Sequence, residues 1–314
     1  MAVYAFVFPG QGSQSVGMGQ DLAQAFSSAR TVFEEVDDAL GENLSKIIFE
    51  GPADNLTSTE NTQPALMAVS MAVLRVLETE GGLDLASTAT LLAGHSLGEY
   101  AALAAARSLG VAQTAKLLRL RGQAMQKAVP AGEGGMAALI GATLEQAEDI
   151  ATQASQTALV EIANDNGGGQ IVLSGRMAGI DAAIALAKEL KIKRAVKLPV
   201  SAPFHSSLMK PAEIIMAEAL EQATIAAPIV PVIANVTALR ETDADTIRKN
   251  LVQQVTGRVR WEESVRAMVA MGVDSFVEIG AGKVLSGLIR RIAPDVTTTS
   301  VGTPDDIESF LKSL

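Results

Sequence analysis

Thr90-Leu91-Leu92-Ala93-Gly94-His95-Ser96-Leu97-Gly98-Glu99-Tyr100-Ala101-Ala102-Leu103 is the stretch on which the fold turns. Residues 90–93 make a short apolar run that reads as a buried strand, and an Ala-rich helical pattern starts directly after Ser96. Glycine at 94 and 98 permits the sharp strand-to-helix turn of a nucleophile elbow, which lifts the serine between them into the open. The hydroxyl then stands at a helix N-terminus. There, unpaired backbone N–H groups and the helix dipole stabilise an oxyanion, with the N–H of Leu97 as the first donor. The competing reading is a strand–helix connection that merely contains two glycines.

The same alternation continues on either side. Residues 3–8 read as a strand, the region 22–40 as helical and 63–77 as a helix. After 202, strands at 230–235, 275–279 and 296–300 are separated by helical stretches such as 261–271 and 284–292. This predicts an α/β protein: a mostly parallel sheet covered by helices, in a large α/β-hydrolase-like domain formed by 1–129 and 200–314. Between 130 and 199 the rhythm changes. A strand at 136–140, a helix at 144–154, a strand at 159–163 and a tight turn at 164–169 come first. With a strand at 170–174, a helix at 178–190 and a strand at 194–198, they give the β-α-β-β-α-β order of a small inserted ferredoxin-like domain.

Bulk composition removes several function classes. Of 314 residues, 48% are hydrophobic and only 4% aromatic, so an aliphatic core is expected. Cysteine is absent, which excludes disulfides, thiolate metal sites and a cysteine nucleophile, and suits a reducing compartment. A formal charge of −10 repels phosphate backbones and argues against a nucleic-acid partner. The apolar start, residues 1–8, precedes any basic residue and is too short to span a bilayer, while the run 91–106 is interrupted by His95, Ser96 and Glu99. The chain is therefore read as soluble and cytoplasmic, with no membrane partner.

A serine hydroxyl is a poor nucleophile without a neighbouring base, and histidine is the side chain best tuned for that at neutral pH. Only two histidines exist. His95 sits on the elbow with its side chain expected to point away from Ser96, so the base role falls to His205. That residue lies in Ser201-Ala202-Pro203-Phe204-His205-Ser206, a Pro-stiffened loop directly after the inserted segment. A hydrogen-bonded structural histidine is the alternative. The Nδ1–H needs an acceptor, for which Asp165 and Glu213 are candidates and a backbone carbonyl would serve.

Gly10-Gln11-Gly12-Ser13-Gln14-Ser15 follows the first strand but fails as a dinucleotide fingerprint, since Ser15 occupies the third glycine position, and it has no Lys-Ser/Thr pair for a P-loop. Such a loop can bring the N–H of Gln11 to a reacting carbonyl as a second oxyanion donor; a plain tight turn is the equal alternative. In the helix expected over 113–127, Lys116, Arg119, Gln123 and Gln126 share one side, while Ala115, Leu118, Gly122 and Met125 share the other. Arg121 belongs to the apolar side. It either snorkels out or meets an anion in a low-dielectric cleft, where its fork would suit a carboxylate.

Gly10-Gln11-Gly12-Ser13-Gln14, Gly94-His95-Ser96-Leu97-Gly98-Glu99, Arg121-Gly122 with Met125, Phe204-His205-Ser206 and Gln254 together resemble the malonyl-CoA:acyl carrier protein transacylase family, in family order and over nearly the whole chain. The resemblance implies that Ser96 is acylated, that His205 is the base, and that Arg121 pairs with the malonyl carboxylate. It implies oxyanion N–H groups from Gln11 and Leu97, and a backbone carbonyl of Gln254 that orients His205. Phe204 looks like the malonyl-selective version of this position, and Met125 belongs to the substrate side. Gly280-Ala281-Gly282-Lys283 departs from the family's more usual Gly-Pro-Gly-Lys.

The implied activity is a ping-pong transfer of malonyl from malonyl-CoA to the phosphopantetheine thiol of an acyl carrier protein, in fatty acid or polyketide synthesis. No metal or further cofactor is implied, and a monomer is expected. Carriers are acidic, so a positive patch is needed; Lys188, Lys191, Lys193, Arg194 and Lys197 form one candidate, and Lys283, Arg290 and Arg291 another. Each is alternatively a solvated face. Two rivals share parts of the pattern: a serine hydrolase (esterase or thioesterase) that delivers the acyl group to water, and a noncatalytic carrier-binding protein.

Overall fold

The computed structural model describes residues 2–200 and 202–314; Met1, at the head of the apolar opening, and Ser201, at the head of the histidine loop, lie outside the described residues. It is a mixed α/β structure with two sheets. In chain order the strands are β1 (Tyr4–Phe8), β2 (Ala89–Gly94), β3 (Gly134–Ile140), β4 (Val160–Asp165), β5 (Gln170–Arg176) and β6 (Arg194–Lys197). Then come β7 (Val232–Ile233), β8 (Arg240–Glu241), β9 (Val259–Arg260), β10 (Ser275–Ile279) and β11 (Thr297–Val301).

The larger sheet has the order β11-β10-β1-β2-β7-β8 and is parallel except for the edge pair β7–β8. Side chains alternate across it. Phe6 and Phe8 enter the core shared with helix Thr59–Thr79, while Ala5 and Val7 enter a second core with Trp261 and Phe276. Both faces are thus covered, which is why β1 reads as an unbroken apolar run. Helix Thr59–Thr79 is itself buried around most of its circumference.

The smaller sheet has the order β6-β3-β5-β4-β9, antiparallel among its first four strands, and β9 joins parallel to β4 from outside 130–199. Ala137 and Leu139 on one face pack under helices Leu144–Ala154 and Met177–Glu189, whereas Met136 and Ala138 turn towards the main core. That second face closes over the elbow.

Several elements differ from expectation. The strand read at 230–235 is reduced to β7, because Pro231 has no N–H for the ladder. The helical region 22–40 is split into Gln20–Ala25 and Ser27–Leu40 by extended Phe26, whose ring packs on the main core. β4 runs on through Asp165 with an irregularity between Ile162 and Asn164, so Asn164 lies in the strand and not in the turn. Such bulges re-aim side chains. Arg119 was placed on a polar face, yet it is 9% exposed and bonds Asn61 and, at 2.9 Å, Glu42. Helix Val111–Lys127 is packed against both Thr59–Thr79 and Ser27–Leu40, which leaves little of it to solvent. Among the described residues no helix is long and apolar enough to cross a membrane.

Candidate active site

Ser96 follows β2 and caps helix Leu97–Ala105 with φ 53° and ψ −112°. A residue with a Cβ adopts such a conformation at a cost of about 1–3 kcal/mol, so neighbouring groups must hold it. They do so on both sides of its peptide. Ser96 N–H donates to Asn235 Oδ1 at 2.7 Å, Asn235 Nδ2 donates to Gly94 O at 2.7 Å, and Gln254 Nε2 donates to Ser96 O at 2.9 Å. The two glycines serve close approach: a Cβ on Gly94 would stand 1.9 Å from the carbonyl oxygen of Gly98, and one on Gly98 2.2 Å from that of Phe8.

The Ser96 hydroxyl lies 2.7 Å from His205 Nε2. His205 is 4% exposed and also has a positive φ, 56°. Its Nδ1 faces two carbonyl oxygens, Gln254 O at 2.9 Å and Gly257 O at 3.1 Å, so the proton resides on Nδ1. Nε2 is then the acceptor for the serine proton. The expected Gln254 carbonyl is in place, and Gly257, which sequence reasoning missed, supplies a second. Neither candidate carboxylate orients the ring. Asp165 accepts from Gly167 N, and Glu213 is engaged with Thr256 and Lys210. Burial chiefly, then the charges of Arg121 and His95, push the imidazole down to about 3 against the pull of its two carbonyl partners.

Arg121 is 1% exposed. Its NH2 donates to Ser96 Oγ at 3.2 Å and to Gln254 Oε1 at 2.9 Å, and NH1 donates to Gln63 Oε1 at 2.7 Å. Its Cζ lies 5.7 Å from the centre of the Tyr100 ring. Gly122 makes this position reachable, since a Cβ there would stand 2.5 Å from Glu60 Cα and force helix Val111–Lys127 away from Thr59–Thr79. Nε has no hydrogen-bond partner among the described residues.

These groups open on a cavity of about 120 Å³. Gln11, Leu97, Met125 and Phe204 line it as well, so of the catalytic, oxyanion and substrate residues that the resemblance implies only Gln254, behind Arg121 and His205, does not border it. Leu97 is the first residue of its helix, where an N–H has no intrahelical acceptor. The Gln11 loop is fixed by Thr59 Oγ1, which donates to Gln11 Oε1 at 2.8 Å. Met136 and Asn164 approach from the smaller sheet. His95 donates from Nε2 to Asn166 Oδ1 at 2.8 Å and stands edge-on to Trp261, with no hydrogen bond to Ser96 among the described residues.

Sequence reasoning missed Asn235, Gln63 and Glu99. The Glu99 carboxylate, 3% exposed, accepts from Gln254 Nε2 at 2.7 Å and Asn235 N at 3.1 Å. Its signal was available: an acid in the first turn of an otherwise apolar helix. Gln63 closes the polar run Thr59-Glu60-Asn61-Thr62-Gln63 at the start of its helix, and neither it nor Asn235 offered such a signal.

The acyl transferase domain family matches residues 5–303. A malonyl CoA-acyl carrier protein transacylase of Bacillus subtilis is 44% identical over 315 residues, covering 100% of this chain and 98% of the relative. The crystal structure of an acyl-carrier-protein-S-malonyltransferase from Bartonella henselae superposes with a TM-score of 0.97 at 56% identity, over 99% of both chains. A malonyl-transacylase solved in complex with its type II PKS acyl-carrier protein gives a TM-score of 0.96 at 39% identity, over 100% of both chains. The chain belongs to the acyl transferase domain family and, within it, to the malonyl CoA-acyl carrier protein transacylases.

Proposed function

We infer that the protein is a malonyl-CoA:acyl carrier protein S-malonyltransferase working through a malonyl-serine intermediate on Ser96. The activity follows from the family. The mechanism rests on one observation: the Ser96 hydroxyl sits 2.7 Å from a neutral imidazole nitrogen and 3.2 Å from a buried guanidinium.

Ser96 Oγ attacks the thioester carbonyl carbon while its proton passes to His205 Nε2. The N–H groups of Gln11 and Leu97 receive the oxyanion. The C–S bond then breaks, and the imidazolium returns the proton to the coenzyme A sulfur. In the second half the carrier's phosphopantetheine thiol gives its proton to His205 and attacks the ester. The C–O bond breaks and Ser96 Oγ regains a proton. Gln254 O, with Gly257 O, keeps the imidazole in the required tautomer, Arg121 grips the malonyl carboxylate, and Phe204 and Met125 bound the acyl pocket. As written, the cycle uses only the coenzyme A thioester and the carrier's phosphopantetheine. The intact Ser96–His205 contact counts against a noncatalytic reading, and membership of the transferase family counts against a hydrolase. Incubation with malonyl-CoA alone is expected to leave one malonyl group on Ser96 by peptide mass spectrometry; an unmodified Ser96 in active enzyme would remove the covalent step.

The larger sheet with its elbow supports an α/β-hydrolase-like domain over 1–129 and 200–314, and the neighbour order β6-β3-β5-β4 supports a ferredoxin-like insertion at 130–199. The proposed working form is a monomer. Lack of cysteine and a charge of −10 support a cytoplasmic enzyme that binds neither nucleic acid nor membrane. For carrier docking, the two basic runs adjoin. A Cβ on Gly141 would lie 3.0 Å from Lys193 Cβ, one on Gly168 2.7 Å from Arg291 Cβ, and Gly141 N–H donates to Gly169 O at 2.7 Å. Lys197 is less free, being paired with Asp181. Reversing charge at Lys193 and Arg291 together is expected to raise the carrier KM about tenfold or more without changing the malonyl-CoA KM, since exposed charges act chiefly on encounter; an unchanged carrier KM would move the docking site elsewhere.

A further inference from the structure

Glu99 and Arg121 are two buried groups of opposite charge that do not touch. Among the described residues Arg121 forms no ion pair; its partners are the Gln63 and Gln254 amides and the Ser96 hydroxyl. Glu99 likewise has only neutral donors, Gln254 Nε2 and Asn235 N. One amide lies between them: Gln254 accepts from the guanidinium through Oε1 and donates to the carboxylate through Nε2. We propose that Glu99 is the counter-charge of Arg121 in the unloaded enzyme, and that it takes up a proton from solvent when the malonyl carboxylate arrives beside the guanidinium. This rests on the reading of Arg121 as the grip for that carboxylate.

The reason is charge balance in a low-dielectric site. One buried cation and one buried anion sum to zero; a second anion leaves a net negative charge that burial makes costly. Protonating a carboxylate restores neutrality, and Glu99 is the group poised to do so. Burial chiefly raises it to about 7, against the lowering pull of Asn235, Gln254 and Arg121. The other charged or titratable groups that bear on it are Glu241 on β8, which pushes the same way, and Tyr100 on its own helix, which burial raises to about 12 and which already holds its proton. His205, pushed down to about 3, is too far from neutrality to take up the proton instead. A protonated Glu99 still has an oxygen to accept from Gln254, so the clamp on Ser96 stays intact. An acetyl group brings no charge and calls for no proton.

The sign of the pH effect follows. A proton taken up on binding makes malonyl recognition tighten, relative to acetyl, as pH falls from about 8 to about 6. Isothermal titration calorimetry of Ser96→Ala enzyme, in buffers of different ionisation enthalpy, measures protons bound with malonyl-CoA and with acetyl-CoA, whose shared phosphates cancel. The expected malonyl excess approaches a full proton well above the free-enzyme value of about 7 and dwindles towards zero well below it. Adding Glu99→Gln is expected to abolish the excess. Equal uptake for the two thioesters, or an excess that survives Glu99→Gln, overturns the proposal. Should that variant not fold, infrared difference spectra of malonyl-loaded minus free wild-type enzyme at pH 8 are expected to show a new protonated-carboxyl band; its absence overturns the proposal equally. Malonyl selectivity that depends on Arg121 but brings no excess proton sinks Glu99 alone. Selectivity indifferent to Arg121 sinks the grip reading and the Glu99 proposal with it.

Discussion

Ser96→Ala and His205→Ala are each expected to slow malonyl transfer by about 10⁴-fold or more, and the double variant by little beyond either alone. The two side chains act as one unit, because the hydroxyl is reactive only while Nε2 accepts its proton, 2.7 Å away. Rates of carrier malonylation for the four enzymes test this; losses that multiply in the double variant would mean separate roles. The pH profile gives a further reading. A base must be neutral, and burial with the Arg121 charge holds His205 at about 3, so kcat/KM should stay level well below the 6.5 of a free imidazole. Stability does not stay level. Between about 6.5 and about 3 the unfolded chain binds the imidazole proton and the folded one does not, so stability falls as pH drops through that window. A fall in kcat/KM on acidification through about 6.5 that is absent from His205→Ala would show a base far less buried than this one.

The parts of this molecule that were legible in sequence are those with a local cause. The elbow announces itself because Gly94 must sit against the Gly98 backbone and Gly98 against that of Phe8, leaving no room for a Cβ at either position. Arg121 stood out because a cation on the apolar side of a helix demands an explanation, and Gly122 beside it is what lets that helix approach Thr59–Thr79. His205 followed from scarcity. What was not legible is the long-range amide network. Asn235, Gln63 and the side chain of Gln254 have no periodicity or spacing that marks them, and Gln254 entered only through family resemblance. The orienting group of His205 illustrates the limit: carboxylates at 165 and 213 were chemically reasonable, but the acceptors are main-chain oxygens, which every residue possesses. Arg119 failed for a related reason. A helical wheel assumes one broad solvent face, and this helix is packed against Thr59–Thr79, Ser27–Leu40 and Lys210–Glu221. Asn164 was placed in a turn because an irregularity in β4 carries no compositional signal.

Arg121→Ala is expected to lower kcat/KM for malonyl-CoA by about 10²–10³-fold while leaving acetyl-CoA unchanged or improved. In the intact site the guanidinium is buried, its Nε is unpartnered among the described residues, and NH1 and NH2 donate to the neutral oxygens of Gln63, Gln254 and Ser96. A carboxylate in the cavity would give the guanidinium an anion in direct contact, whereas an acetyl methyl would leave it with neutral acceptors only and Glu99 one amide away. Removing one member of such a pair costs about 3–5 kcal/mol, and 1.4 kcal/mol is tenfold, which sets the size of the effect. Truncation also strips donors from Gln63 and Gln254, at about 1–3 kcal/mol of fold stability for a buried acceptor left unpaired. The diagnostic quantity is therefore the malonyl-to-acetyl ratio and not either rate alone, because loosening of Gln254 would slow both substrates together. Arg121→Lys separates charge from shape. It keeps the cation but loses the planar fork, so its ratio should fall between wild type and alanine. A ratio unchanged in both variants would make Arg121 a structural bracket for Gln254 and leave acid recognition to some other group in the cavity.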